Sequence, residues 1–561
     1  MAPLTRRLRL MLLLLPLLGW FVTQKAFAAT TFTVTDSSDL SDADLNDNIC
    51  DTNLGIAGNQ CSLRAAIEQL NDIGPDATAH HIEFNISQSG VITITPASPL
   101  PSISVPVVID GASQPGASCP TSNTMATLLI YLDGTNAGAS ASGLRFVAGA
   151  DGSTVRGMVV GNFNNAAVRF EFVNGSRITC SHIGIGADGF TDVDNHSGII
   201  DDGDSNIIGG LQANQRNVVA YNDIYGIGLL GTNALVYNNL IGTSADGLLD
   251  AGNGTGVYIS NSGNTIGGTA ANARNLISGN GNGVRINSTD NNVVLGNRIG
   301  LARGGGPLGN SGAGVEVIGD STNNIIGGVL ADEYNIIAYN GMEGIRLYDN
   351  ITGSPANNPL RGNQIHSNGA IGIDLEADGV TPNDGDDSDG GSNLRQNFPV
   401  LTQAAGNEIM GSLTSTAGQN YTIDFYRNSS CDSSGNGEGE SWLGSTVATT
   451  NGSGLASFSI TLASPLVVGE EITATATDPD GNTSEFSACL TATTSVTPTP
   501  TSTSTATATN TPTNTPTNTP TNTPTGTISP TPTGTITPPT PTATPGVLDK
   551  FTFLPIVRHD N

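Results

Sequence analysis

Lysine is almost missing from this chain. Lys25 and Lys550 are the only two in 561 residues, so between them every side-chain cation is an arginine or a histidine. That removes lysine nucleophiles, Schiff bases and lysine general bases from the available chemistry. Basic charge is short altogether: 20 Lys and Arg stand against 49 Asp and Glu, a formal charge of -29. Such a chain repels nucleic acid and anionic membrane surfaces, which excludes both as partners. Aromatic residues are 5% and charged residues 12%, whereas glycine is abundant at 71. This profile suits a turn-rich β solenoid, and 561 residues are too many for one compact core. Histidine is scarce. His80 and His81 read as a surface pair before a strand, and His182, His196 and His366 are too scattered for a zinc site or a Ser-His-Asp arrangement.

Residues 1–29 read as a secretory signal. Arg6, Arg7 and Arg9 form a basic start, Leu10 to Val22 an apolar run, and Ala26-Phe27-Ala28 a small-x-small cleavage site. The remaining chain has no stretch long and apolar enough to span a bilayer. The expected address is therefore secreted or cell-surface associated, where disulfides persist.

A strand is predicted at 30–35, then an Asp/Asn-rich loop to Cys50. Leu63, Ala66, Ile67 and Leu70 recur at helical spacing behind Ser62, a suitable N-cap. Cys50 and Cys61 bracket a small loop and are expected to bond to each other, since no further ligands stand near them for a metal. Cys61-Ser62-Leu63-Arg64-Ala65-Ala66-Ile67 resembles the CSLREA segment of secreted bacterial β-helix proteins, with alanine in place of glutamate at position 65. The resemblance implies that residues 30–81 cap the start of a solenoid, hiding the strand edges and apolar side chains of its first rung.

Residues 82–395 repeat. Gly198-Ile199-Ile200-Asp201 is followed by glycines that open similar strands at 226, 256, 283, 314, 344 and 372, at intervals of 28, 30, 27, 31, 30 and 28. Two rungs form a larger unit: Ile183-Gly184, Ile241-Gly242 and Ile299-Gly300 are 58 residues apart. Asn217, Asn275 and Asn335, and likewise Asn222, Asn280 and Asn340, take equal places in these units, so that parallel stacking would align them for hydrogen bonding. Nine ladder strands predict an axial length of roughly 40 Å. The pattern resembles the right-handed parallel β-helix of the pectate-lyase-like superfamily.

Residues 396–491 lose the repeat and alternate as β-strands, with Trp442 read as a core residue and Cys431 and Cys489 expected to pair. Thr477-Asp478-Pro479-Asp480-Gly481-Asn482-Thr483-Ser484-Glu485-Phe486-Ser487 resembles the Ig-like modules attached to bacterial β-helices, which implies an Ig-like β-sandwich. Whether Cys119 meets Cys180 stays open. Residues 492–546 are Thr/Pro/Asn repeats that cannot bury a core and read as a disordered stalk. The apolar tail 547–561 resembles surface-retention tails found after such linkers. The fold class expected overall is all-β: a solenoid with a short N-terminal capping helix, a sandwich and a disordered tail.

Candidate chemistry falls on the outward column of the repeated strand: Arg145, Arg169, Ile200, Gly228, Tyr258, Arg285, Glu316, Arg346 and Asp374. Its last four alternate in sign and predict a surface salt ladder, Arg285–Glu316–Arg346–Asp374, each exposed pair contributing about 0–1 kcal/mol. The sharper expectation is a carbohydrate-binding face made by Tyr258, Arg285, Glu316, Arg346 and Tyr348. Asp374 and Glu376, two apart on one strand face, suit the acid and base of an inverting glycosidase, with Arg346 holding Asp374 ionised. Asp201, Asp202 and Asp204 form a second carboxylate group. Polygalacturonases of this fold use three aspartates, but their Gly-His-Gly and Arg-Ile-Lys motifs are missing here. Asp378, Asp384, Asp386, Asp387 and Asp389, among glycines, form an oxygen-rich loop suited to Ca²⁺, the one cofactor considered. The leading expectation is non-catalytic display or adhesion, recognising polysaccharide or envelope glycan. A polysaccharide hydrolase or lyase and a structural envelope component are the alternatives.

Overall fold

The computed structural model describes residues 29–494, apart from 59, 77, 123, 271 and 352. Almost all of the signal-like segment, the Thr/Pro repeats and the apolar tail lie outside the described residues. Three all-parallel sheets, two of ten strands and one of nine, wind the chain from Thr31 to Leu375 into a β-helix. Each turn adds one strand to each sheet. Ile207–Gly209 joins the first, Val218–Val219 the second and Tyr225–Leu229 the third. Parallel strands joined by such crossovers fit right-handed winding.

The third sheet has the register that the repeat predicts. Arg145 pairs with Arg169, which pairs with Ile200, and so through Gly228, Tyr258, Arg285, Glu316 and Arg346 to Asp374. The residues on either side, such as Val284 and Ile286, are fully buried in the lumen. Each such side chain contributes roughly 1.5–3 kcal/mol by leaving water.

The corners are held by asparagine. One column runs from Asn195 through Asn222, Asn253, Asn280, Asn310 and Asn340 to Asn368, each amide donating to the next at 2.8–3.0 Å. A second runs from Asn217 through Asn239, Asn275, Asn297 and Asn335 to Asn363. A third joins Asn264, Asn292, Asn324 and Asn358. The members expected from the 58-residue unit are alternate members of the first two columns, and a further asparagine stands between each pair.

The double-rung unit has a mechanical cause. Between the second and third sheets, long hairpin loops at residues 184–196, 242–254 and 300–314 alternate with short turns at 220–224, 278–281 and 339–344. The long loops stack on one another across the intervening rung: Ala245 N–H donates to Gly189 O at 3.0 Å and Arg303 N–H to Gly247 O at 2.9 Å. Rungs two apart are separated by roughly 9.6 Å. Each long loop therefore covers two rungs, and the next rung must pass beneath with a short turn. Under these loops Ile185, Val218, Leu240 and Leu276 form a small second core outside the lumen.

Both ends are covered. At the start, the strand Thr31–Val34 pairs with His80–Phe84 as the edge of the first sheet. The helix Leu63–Ile73 packs over it, with Ser62 Oγ accepting from Ala65 N–H as the N-cap. Arg64 clamps Asp39 with two bonds, of 2.9 and 3.0 Å. His80 is not a surface residue: it is buried, with Nδ1 accepting from Thr30 N–H and Nε2 bonding Gly74 O. At the other end, antiparallel sheets of three and four strands pack face to face, Phe425 edge-on to Phe458. This sandwich is the lid of the solenoid. Phe486 joins the luminal core, Gly439 pairs with Ile365, and the Glu438 carboxylate accepts from the backbone of Ser367 and Asn368 at the end of the first asparagine column. Trp442 is not in the sandwich core. It is half-buried against the solenoid, with its indole N–H donated to Asp424.

Three disulfides are present: Cys50–Cys61, Cys431–Cys489 and Cys119–Cys180, the last leaving no cysteine free. Among the described residues no helix is long and apolar enough to cross a membrane.

The asparagine columns carry a direct test. Asn280 donates to Ile241 O, Ser278 O and Asn310 and accepts from the backbone and side chain of Asn253. Asn280→Ala strands several buried groups at about 1–3 kcal/mol each. We expect a loss of at least about 3 kcal/mol in urea denaturation, against less than about 1 kcal/mol for Asn261→Ala in an exposed turn.

Candidate functional site

The outer side of the third sheet gathers the side chains singled out by the repeat. At its start lies a cleft of about 250 Å³ lined by Ser102, Ser142, Arg145, Asn165, Arg169 and Glu171 among others. Arg145 pairs with Glu171 at 2.6 Å and Arg169 with Asp202 at 2.8 Å. The Arg145 guanidinium beside Glu171 holds that carboxyl below its ordinary range.

Two rungs on, the outward position is Gly228. A Cβ there would meet Ile200 at 2.8 Å and the Tyr225 ring at 3.4 Å. The missing side chain leaves room for Tyr225 to lean over the strand and stack on Tyr258, with ring centroids 4.5 Å apart and planes 15° from parallel. The hydroxyl of Tyr258 accepts from Asn287 Nδ2 at 2.8 Å. Tyr225 lies outside the repeated motif. Its signal in the sequence is the glycine at an outward position three residues later.

Further along, Glu316 is fully buried between Arg285 and Arg346, with Tyr348 Oη 3.3 Å from its Oε1. The Arg346 guanidinium lies 5.1 Å from the Tyr348 ring centroid. This is not the exposed salt ladder expected from the sequence. A buried carboxylate held by two cations is costly to break, because removal of either cation leaves charge without compensation.

The ladder also stops one residue early. Asp374 is in register with Arg346, but Arg346 is taken by Glu316 and Glu343. Asp374 instead accepts from the backbone N–H groups of Asp378 and Gly379. Burial raises its pKa to about 6, with Glu343 adding to the rise. The expectation that Arg346 keeps Asp374 ionised is thus overturned. Nor do Asp374 and Glu376 share a strand face: the strand ends at Leu375, Glu376 has φ 95°, and its carboxylate accepts from Ser392 N–H and pairs with Arg395. Beside Asp374 sits Glu485 of the sandwich, which accepts from the N–H groups of Leu375 and Thr381 and is pushed up to about 8 by burial.

The remaining candidates separate. Asp201 occupies an inward position in register with Phe170 and Leu229, bonds Gly203 N–H and Asn206, and is raised to about 6 by burial. Asp202 faces Arg169, while Asp204 accepts from Thr232, Asn233 and Ser205. In the acidic loop, Asp384 and Asp387 bind Asn397, Gln396 and Ser415, whereas Asp378 and Asp389 are exposed and Asp386 accepts from Ser388. Among the described residues no three His, Cys, Asp or Glu side chains converge as a metal cage.

No family model and no curated protein matches the chain. Among solved structures it is similar to full-length tailspike protein 2 from Escherichia coli O157:H7 bacteriophage CAB120, at 12% identity over 76% of this chain and 66% of that one, with a TM-score of 0.25. It is also similar to the enzymatically active domain of bacteriophage CBA120 tailspike protein 2, at 12% identity over 76% and 73%, TM-score 0.22. A third is Geobacillus virus E2 ORF18, at 12% over 73% and 71%, TM-score 0.29.

The raised carboxyls at the lid set the sign of a pH dependence. Groups whose folded pKa lies above the unfolded value favour the fold when protonated, so their contribution is complete at low pH and is lost as pH rises through about 6 for Asp374 and about 8 for Glu485. Thermal unfolding is expected at lower temperature at about pH 9 than at about pH 5, with the fall above pH 7 flattened in Glu485→Gln. Equal slopes in the variant and the parent would show that Glu485 does not set this dependence.

Proposed function

We propose that the chain is an exported, cell-surface protein that holds polysaccharide on the outer side of the third sheet without cleaving it. The observation that carries this reading is the commitment of four carboxylates along that side. Glu171, Asp202 and Glu316 are bound to guanidinium groups, and Asp374 to backbone N–H groups. Glycoside hydrolysis needs two carboxyl groups facing each other across the scissile bond. What the side offers a ligand is the Tyr225–Tyr258 stack, with the ion-paired but partly exposed Arg285 in register beside Tyr258, an aromatic platform edged by a guanidinium.

The signal-like start and three disulfides support export, and polysaccharide or envelope glycan is the natural partner. On this reading residues 30–81 are a CSLREA-type cap, the sandwich an Ig-like module, and the Thr/Pro repeats a linker. Tyr258, Arg285, Arg346 and Tyr348 form the central binding segment, with Glu316 buried behind the two arginines and holding them in place. A hydrolase is the second reading, favoured by Asp374, whose carboxyl is raised to about 6 beside Glu343.

A glycan array with reducing-end and unsaturated-product assays, run with and without Ca²⁺, separates these readings. We expect binding without turnover, weakened about tenfold by Tyr258→Ala. Turnover abolished by Asp374→Asn with the fold retained would establish the hydrolase instead, and the absence of any glycan binding would leave a structural role.

A further inference from the structure

A second cleft, of about 350 Å³, opens where the solenoid meets the sandwich. Three parts of the chain build it. The last long loop between the first and second sheets supplies Leu330 and Tyr334, the final strand of the second sheet supplies Gln364, and the sandwich supplies Arg427, Ser441 and Trp442. It lies away from the Tyr258 column, at the corner between the first two sheets, and neither the solenoid nor the sandwich contains it alone.

The tryptophan is set in place from behind. Asp424 is fully buried and receives Arg361 through two bonds, of 2.6 and 3.0 Å, and the Trp442 indole N–H at 3.0 Å. The only polar atom of the indole is thus spent on the interior, and what the ring adds to the cleft is apolar surface. Tyr334 supplies a second ring, held by the Arg274 guanidinium 5.7 Å from its centroid. Leu330, 67% exposed, forms an apolar lip. The polar side of the lining is a guanidinium, an amide and a hydroxyl. Arg427 is 47% exposed and touches Glu470 only loosely, at 3.7 Å.

We infer that this cleft is a pyranose-binding site, with Trp442 and Tyr334 as its stacking walls and Gln364, Arg427 and Ser441 as its hydrogen-bonding rim. A pyranose ring has C–H faces that pack against aromatic rings and an equator of hydroxyls that needs donors and acceptors at its edge. The volume sits at the lower end of the roughly 300–1,000 Å³ typical of small-molecule sites, which suits one or two sugar units better than a long chain. The site is separate from the proposed binding side of the third sheet, and either can fail without the other.

Trp20 and Trp442 are the two tryptophans of the sequence. In the full chain carrying Trp20→Phe, tryptophan emission therefore reports on this cleft alone. A neutral hexose oligosaccharide and a uronate oligosaccharide serve as probes. We expect at least one to shift Trp442 emission saturably, Tyr334→Ala and Arg427→Ala each to weaken the response about tenfold, and Tyr258→Ala to leave it unchanged. A response to the uronate alone would assign the ligand's carboxylate to Arg427. No response to either probe, or a response that survives Tyr334→Ala combined with Arg427→Ala in a chain of unchanged melting temperature, would overturn the inference.

Discussion

Coiling a chain around a narrow apolar lumen turns the backbone groups of each corner towards a region where water is scarce. An unmet amide or carbonyl there costs about 1–3 kcal/mol, and the solenoid presents such corners on every turn. Asparagine answers with two donors and an acceptor on a short side chain. Asn239, for example, donates to the carbonyls of Ile208 and Tyr237 and to Asn275, whose Oδ1 also accepts the Asn239 backbone N–H. One side chain thus satisfies its own rung and locks it to both neighbours. The register that brings Tyr258 beside Arg285 and Arg285 beside Glu316 is held by these columns as much as by the strands.

A periodic column does not specify where it stops, and the two ends of this solenoid are closed by different means. At the start, an amphipathic helix with its own N-cap and a buried Arg64–Asp39 clamp lies over the first rung. At the finish, the sandwich presses Phe486 into the lumen and offers Glu438 to the donor end of the first asparagine column. Arg361 and Asp424 fasten the two parts from opposite sides of their seam. Within the stretch Thr477 to Ser487 that resembles part of an Ig-like module, Asn482 to Phe486 are here the plug of the solenoid.

The parallel fold was legible because it repeats. A glycine, two aliphatics and a variable residue between them were enough to align nine strands residue for residue. The 58-residue unit marks three of the seven asparagines in the first column, three of the six in the second and none in the third; Asn239 and Asn253 are hidden because they sit in rungs whose loops differ in length from those of Asn217 and Asn222. The candidate side was readable as a set of outward positions but not as an environment. Nothing local in Gly-Val-Glu-Val says that Glu316 is wholly enclosed, and nothing in Ile-Asp-Leu-Glu says that the strand ends before Glu376. Those facts arise from neighbours tens of residues away. Trp442 and Glu485 were opaque for the same reason, since their surroundings exist only once the sandwich has docked. The Cys119–Cys180 bond joins separate turns of the coil, and the spacing of two cysteines carries no trace of it.

The alternation of long and short loops also bears on how such a protein changes length over generations. The hairpin loops rest directly on one another, Gly189 against Ala245 and Gly247 against Arg303, with no height to spare between them. Adding a single rung would set two long loops at the same level or leave a bare stripe on the second sheet. Adding two rungs, about 58 residues, preserves every stacking contact and every asparagine column. The heritable unit of growth is therefore the pair, and relatives that differ in reach should differ by whole pairs of rungs.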